Sequence, residues 1–256
     1  MNSKHFSRAW ILSLALLLTS GLAWAESAET LYNQALEQDD MRALRTLDRA
    51  RRLSPNNDRI LFRIGFLFHK MNRRQEASEA YTSAIRVNPC HSRALNNLGN
   101  IELDSGEPGK AEQLYRRAIA CDANFHSPHY NLANILGERG RATEAVRHYE
   151  AALAINPEHS RTHHNLGLLY MQIARSQPRP AESPEYAKAK QHLLRSIALN
   201  PQSPVARFNA GQLLELGNEP GPATAEYEAA LRLLPNESAM KSRVRRRLQA
   251  LQLQSR

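Results

Sequence analysis

The sequence predicts an all-α solenoid of stacked helix pairs, and three observations lead there. The landmarks Leu132, Ala133, Ala145, Tyr149 and Ala152 recur at a spacing of about 34 residues along most of the chain. Leu132-Ala133 answers to Leu98-Gly99 and Leu166-Gly167, while Ala145, Tyr149 and Ala152 answer to Ala111, Tyr115 and Ala118, and to Ala77, Tyr81 and Ala84. Between the landmarks, apolar residues fall three and four apart, the mark of amphipathic helices. Composition agrees, because a chain 42% hydrophobic but only 6% aromatic draws that apolarity from residues such as alanine and leucine, which favour helix. A chain of 256 residues could otherwise make one or two globular domains. In a solenoid each repeat packs mainly on its neighbours, so the core grows in one dimension.

Residues 1–25 read as a cleavable signal peptide. Lys4 and Arg8 form a positive start, Ala9 to Leu22 carries no charge, and Ala23-Trp24-Ala25 has the small-x-small pattern of a cleavage site. The apolar run is shorter than the ~20 residues of a comfortable membrane span. The expectation is an exported protein, in a compartment such as the bacterial periplasm.

The remaining elements follow in order. Residues 26–57 make a degenerate first repeat, with Ala28, Leu31, Tyr32, Ala35 and Leu36 on one helix and Ala43, Leu44, Leu47, Ala50 and Leu53 on the next. Residues 58–91 make a regular one. Its small Gly65 and Ala77 belong where two helices cross, Tyr81 fills the space above them, and Asn88-Pro89 ends the second helix. Residues 92–125 turn at Ser105-Gly106-Glu107-Pro108-Gly109, and 126–159 repeat the pattern through Pro157. In 160–203 the second helix arrives late, so the proline-rich 175–185 reads as an inserted loop. Residues 204–237 make the last repeat, and 238–256 a basic capping helix that covers it with Val244, Leu248 and Leu251.

These residues resemble the tetratricopeptide-repeat family over essentially the whole chain beyond residue 25. The resemblance implies antiparallel helix pairs in a right-handed superhelix, whose concave face, lined by the first helix of each pair, binds peptides. On that face Asn97, Asn131 and Asn165 precede the recurring Leu-Gly or Leu-Ala pair, and Asn209 precedes Ala210-Gly211. This is similar to the asparagine ladder in the repeat domain of O-GlcNAc transferases. A carboxamide has a donor and an acceptor on one plane and can pair with both groups of a peptide backbone. Asn100 and Asn134 lie about one turn further along, and the second repeat carries Arg63 instead of a rung. A clamp of chaperone-binding members is matched in part by Asn100, Asn131 and Arg161, although Asn96 and Asn165 stand where it needs cations. Arg59, Arg63 and Arg93, with His69 and Lys70, make the early part of this face basic.

No nucleophile elbow, phosphate loop or paired-carboxylate motif occurs, so catalysis is not expected. Ten histidines include His159 and His163 at helical spacing, with His126, His129 and His164 as candidate neighbours, but no carboxylate or cysteine is placed to complete a zinc site. No metal or cofactor is expected. Cys90 and Cys121 fall at one end of the same helical hairpin and would pair as a disulfide in an oxidising compartment. The reading is an exported scaffold or adaptor for an extended peptide, with no nucleic-acid partner. A net charge of +9 suits acidic partners, and the alternative is an envelope-docking module whose basic C-terminal helix meets an anionic surface component.

Overall fold

A computed structural model describes residues 26–235 and 238–254; the signal-peptide reading of 1–25 lies outside the described residues. The described chain is helical, with short turns and one 3-10 turn. It divides into two compact units between Ala94 and Leu95.

The first unit contains α1 (Ala28–Leu36), α2 (Asp40–Leu53), α3 (Asp58–Lys70) and α4 (Arg74–Val87). Three of these helices begin at polar caps that satisfy otherwise orphaned backbone donors. Ser27 accepts from the Thr30 amide, Asp39 from the Arg42 amide, and Asn57 from the amides of Arg59 and Ile60. The core joins Leu31 and Ala35 of α1, Ala43, Leu47 and Ala50 of α2, and Ile60, Ile64 and Leu67 of α3. Leu53, read above as part of the apolar stripe, is 57% exposed instead. It is the last residue of α2, with Ser54 as cap, and no following turn covers it.

The second unit contains most of α5 (Ser92–Asp104), then α6 (Pro108–Cys121), α7 (His126–Glu138), α8 (Ala142–Ile155), α9 (Ser160–Arg175), α10 (Pro184–Leu199), α11 (Pro204–Leu216), α12 (Pro220–Leu233) and α13 (Ala239–Gln254). Four first-of-pair helices end alike. Asn72, Gly106, Gly140 and Asn218 each adopt a left-handed backbone with φ between 55° and 80°. In every case the next amide reaches back to a carbonyl of the last helical turn, as Glu107 N does to Glu102 O at 2.9 Å. That motif reverses the chain tightly and fixes the antiparallel pair.

Contact across each pair explains the small residues. A Cβ on Gly99 would lie 2.6 Å from Tyr115 Cε1, and one on Gly65 would lie 2.8 Å from Tyr81. Tyr81, Tyr115 and Tyr227 are consequently fully buried. In the fifth pair Leu193 takes the tyrosine's place against Gly167. The connection there is 176–183, shorter than the 175–185 read from the sequence, because α9 runs on to Arg175 and the Ser183 hydroxyl caps α10 at the Tyr186 amide. The added first turn of α10 buries Tyr186, whose hydroxyl donates to Glu219 Oε1 at 2.6 Å. Val244 and Leu251 of α13 complete a terminal cluster with Phe208, Leu214 and Tyr227.

Candidate functional site

The asparagines of α5, α7 and α9 come together, but not as free rungs. Asn131 Nδ2 donates to Asn96 Oδ1 at 3.1 Å and to Asn100 Oδ1 at 3.0 Å. Asn100 Oδ1 also accepts from the buried Tyr115 hydroxyl at 2.7 Å. One pair later the arrangement repeats. Asn165 Nδ2 donates to Tyr130 Oη at 3.2 Å and to Asn134 Oδ1 at 2.9 Å, and Asn134 Oδ1 accepts from Tyr149 Oη at 2.6 Å. Each link therefore runs from a tyrosine on a second-of-pair helix, through an asparagine of its partner helix, to a rung on the next pair. Burial chiefly, with the nearby Asp104 for Tyr115 and Tyr130 for Tyr149, raises both hydroxyl pKa values far above the ordinary 10, so both stay protonated donors.

The rungs on the concave face are thus only partly free to pair with a peptide backbone. Asn97, Asn100, Asn131, Asn134, Asn165 and Asn209 are only partly exposed, and Asn96 beside them is buried and donates to Asn97 Oδ1 at 3.2 Å. Both amide hydrogens of Asn131 and of Asn165 are spent within the protein. What remains is Nδ2 of Asn100 and Asn134, and Oδ1 of Asn131 and Asn165. Asn134 and Asn165 line an open groove of ≈ 430 Å³ with Leu103, Tyr149, Leu168 and Gln172. The last rung differs: Asn209 Nδ2 lies 3.2 Å from His164 Nε2, because Leu168 stands where Asn134 stood one pair earlier.

The arginines named from the sequence separate. In the first unit Arg59 sits 3.4 Å from Glu29 and over the Tyr32 ring, and Lys70 pairs with Asp40 at 2.8 Å, so much of the early basic charge is compensated. Arg59 and Arg93 share a hollow of ≈ 350 Å³ with Tyr32, Phe62 and His91. Arg63 lies apart, over Phe66, with its Nε buried and without a hydrogen-bond partner among the described residues. Arg161 is exposed in the first turn of α9, in the second unit.

The histidines do not form the cluster that spacing suggested. His129 and His148 meet Nδ1 to Nδ1 at 3.1 Å across α7 and α8, and His163 and His192 meet at 2.9 Å across α9 and α10. His126 packs its ring on His159. Each Nδ1 pair needs one neutral acceptor. Burial chiefly, and then the His163 charge, push His192 down to about 4. Burial first, and then His129, lower His148. Among the described residues no group of three His, Cys, Asp or Glu side chains is placed to hold a metal ion. Neither Cys90 nor Cys121 is a free thiol.

Sequence reasoning missed three participants: the tyrosine hydroxyls, read only as space-filling; Gln212, which stands three residues after Asn209 as Asn134 does after Asn131; and His148 and His192. The tyrosines and Gln212 were marked by the repeat register itself.

Models of the tetratricopeptide repeat match residues 67–124 and 114–147, and one described as TPR repeat matches 133–173. No curated protein matches the sequence. Among solved structures, PilW, titled a widely conserved type IV pilus biogenesis factor, is similar with a TM-score of 0.67 at 14% identity, over 88% of this chain and 97% of that one. YrrB, titled a TPR protein with an unusual peptide-binding site, has a TM-score of 0.60 at 15% identity over 75% and 93%. The pilF protein of Pseudomonas aeruginosa has a TM-score of 0.60 at 22% identity over 77% and 89%. At these identities the likeness is one of fold.

Proposed function

The chain belongs to the tetratricopeptide-repeat family, and from that premise we propose that it is an exported, non-catalytic scaffold or adaptor that holds an extended peptide along α5, α7, α9 and α11. One observation carries the reading: in the open groove, Asn134 Nδ2 and Asn165 Oδ1 are left over after the protein's own hydrogen bonds are made. They are a donor and an acceptor from adjacent pairs, and together they match the two groups of a peptide unit. The pairing is therefore supplied by two stacked asparagines rather than by the two ends of one. Asn100 Nδ2 and Asn131 Oδ1 offer the same combination one pair earlier. Equivalent points on neighbouring helices lie roughly 10 Å apart, which an extended strand covers in about three residues. Tyr130, His164 and Phe208, on α7, α9 and α11, are the groups suited to choosing side chains. The likeness to YrrB supports the reading at the level of fold.

Selection of a random peptide library against residues 26–256 tests it. The winning peptide is expected to lose about tenfold in affinity when Asn131 and Asn165 are both changed to alanine. Each substitution also removes two internal hydrogen bonds, so the melting temperature drops as well, with ~0.5–1.5 kcal/mol lost per net bond. Peptide binding that is indifferent to the double change in the folded protein overturns the groove.

Export rests on the Ala23-Trp24-Ala25 pattern and fits two cysteines that are not free. N-terminal sequencing of the secreted chain should begin at Glu26, and non-reducing denaturant should expose no thiol. A mature chain that still carries Trp10 would make it an anchored protein.

A further inference from the structure

At the last rung, α11 and α13 line an open pocket of ≈ 690 Å³ that continues from Asn209 onto the final helix. Val205, Phe208 and Met240 give it an apolar wall, Asn209 and Gln212 supply carboxamides, and Arg243, Arg246 and Arg247 line the α13 side. Arg243 and Arg246 are three residues apart, on one face of the helix. Arg247 is held by Glu215 at 3.3 Å. Arg243 and Arg246 have no carboxylate partner among the described residues; Arg243 only rests over the Phe208 ring, 5.6 Å from its centre. Gln212 occupies the register of Asn100 and Asn134, yet among the described residues no following helix brings an asparagine to it and its side chain lines the pocket.

We propose that this cavity is a subsite for an acidic, apolar peptide segment, in which a glutamate or aspartate side chain meets Arg243 and Arg246 and an adjacent apolar side chain lies against Phe208 and Met240. The proposal rests on the scaffold reading above and adds the charge and the polarity of the segment bound at its C-terminal end. Two guanidinium groups without partners favour a carboxylate, for which Arg presents a planar fork of donors. The carboxamides of Asn209 and Gln212 suit a peptide backbone, and the aromatic wall suits a side chain. A lipid surface would draw instead on the whole basic helix, including Arg245, which lies outside the cavity lining.

The test uses the full mature chain and fluorescein-labelled octapeptides that alternate leucine or phenylalanine with glutamate, against the same series carrying glutamine. Anisotropy should show the glutamate series binding at least about tenfold tighter, with the gap closing as salt is raised. Arg243→Gln with Arg246→Gln should bring the two series together, while the lysine versions of both positions keep part of the preference. Circular dichroism checks that each variant is folded. The change of Asn131 and Asn165 to alanine should weaken both series and leave the glutamate preference in place. Equal binding of the two series, or a preference untouched by the arginine changes, overturns the subsite and leaves the scaffold reading standing. Failure of both series to bind, with the chain instead sedimenting on vesicles of phosphatidylglycerol, overturns both.

Discussion

Asn134 and Gln212 stand at the same place in their repeats, three residues after a rung, yet one is locked and the other open. Asn134 Oδ1 takes hydrogen bonds from Tyr149 Oη at 2.6 Å and Asn165 Nδ2 at 2.9 Å, so it ties a pair internally and to the pair that follows. Among the described residues no asparagine donates to Gln212, and the buried hydroxyl of Tyr227, the counterpart of Tyr149, faces Glu215 instead of an asparagine. The same register thus makes a structural strut where an asparagine-bearing helix follows and an available polar group where α13 follows. A repeat position carries a role only together with its neighbour in space.

The largest expected effect tests the strut. Asn134→Ala strands the hydroxyl of Tyr149, which is 4% exposed, and should destabilise the protein by ~1–3 kcal/mol in denaturant melts. Gln212→Ala removes no internal bond and should stay within ~0.5 kcal/mol of wild type. Equal losses at the two positions would erase the distinction between them.

A smaller effect separates the tyrosines. Tyr149→Phe gives up one hydrogen bond, costing ~0.5–1.5 kcal/mol, whereas Tyr227→Phe removes a buried hydroxyl that meets no ideal geometry and should be neutral or stabilising. The reverse order would mean that Tyr227 is satisfied by a group such as the nearby Glu215.

The smallest effect comes with pH. His192 titrates near 4 in the folded chain against an ordinary 6.5, because burial and His163 disfavour its charged form, with Lys188 adding to this and Glu150 opposing it. The unfolded chain therefore takes up the proton first. The stabilising contribution is complete above about 6.5 and is lost as pH falls from there towards 4. His129 and His148, lowered in the same direction, add to that decline. Melting temperature followed downward from neutral pH should fall more for wild type than for His192→Gln. Identical slopes would remove the pair from the account. His164, lowered by burial and set against Asn209, carries the same dependence to α11.

Much of the fold was legible because close packing leaves few residue choices. Where two helices cross against a buried tyrosine, Gly65, Gly99 and Gly211 leave no room for a Cβ, and such a demand recurs with the period, relaxed to alanine at Ala133. The start of α10 was not legible, since its extra turn depends on a hydroxyl cap at Ser183 and on Tyr186 finding Glu219 in a later repeat. The candidate site was half legible. The asparagines were visible in register, but whether their amides face a ligand or each other was decided by partners 31 and 35 residues away, at Asn100 and Asn96 for Asn131.

What the sequence by itself determined is the repeat, its helix pairs and the side chains at each register, because periodicity and steric fit act locally and recur. Only the tertiary structure decided which of those side chains are used up. A hydrogen bond needs both groups at about 3 Å, and stacking one repeat on the next is what brings Asn165 to Asn134, while among the described residues no carboxylate reaches Arg243 or Arg246 and no asparagine reaches Gln212.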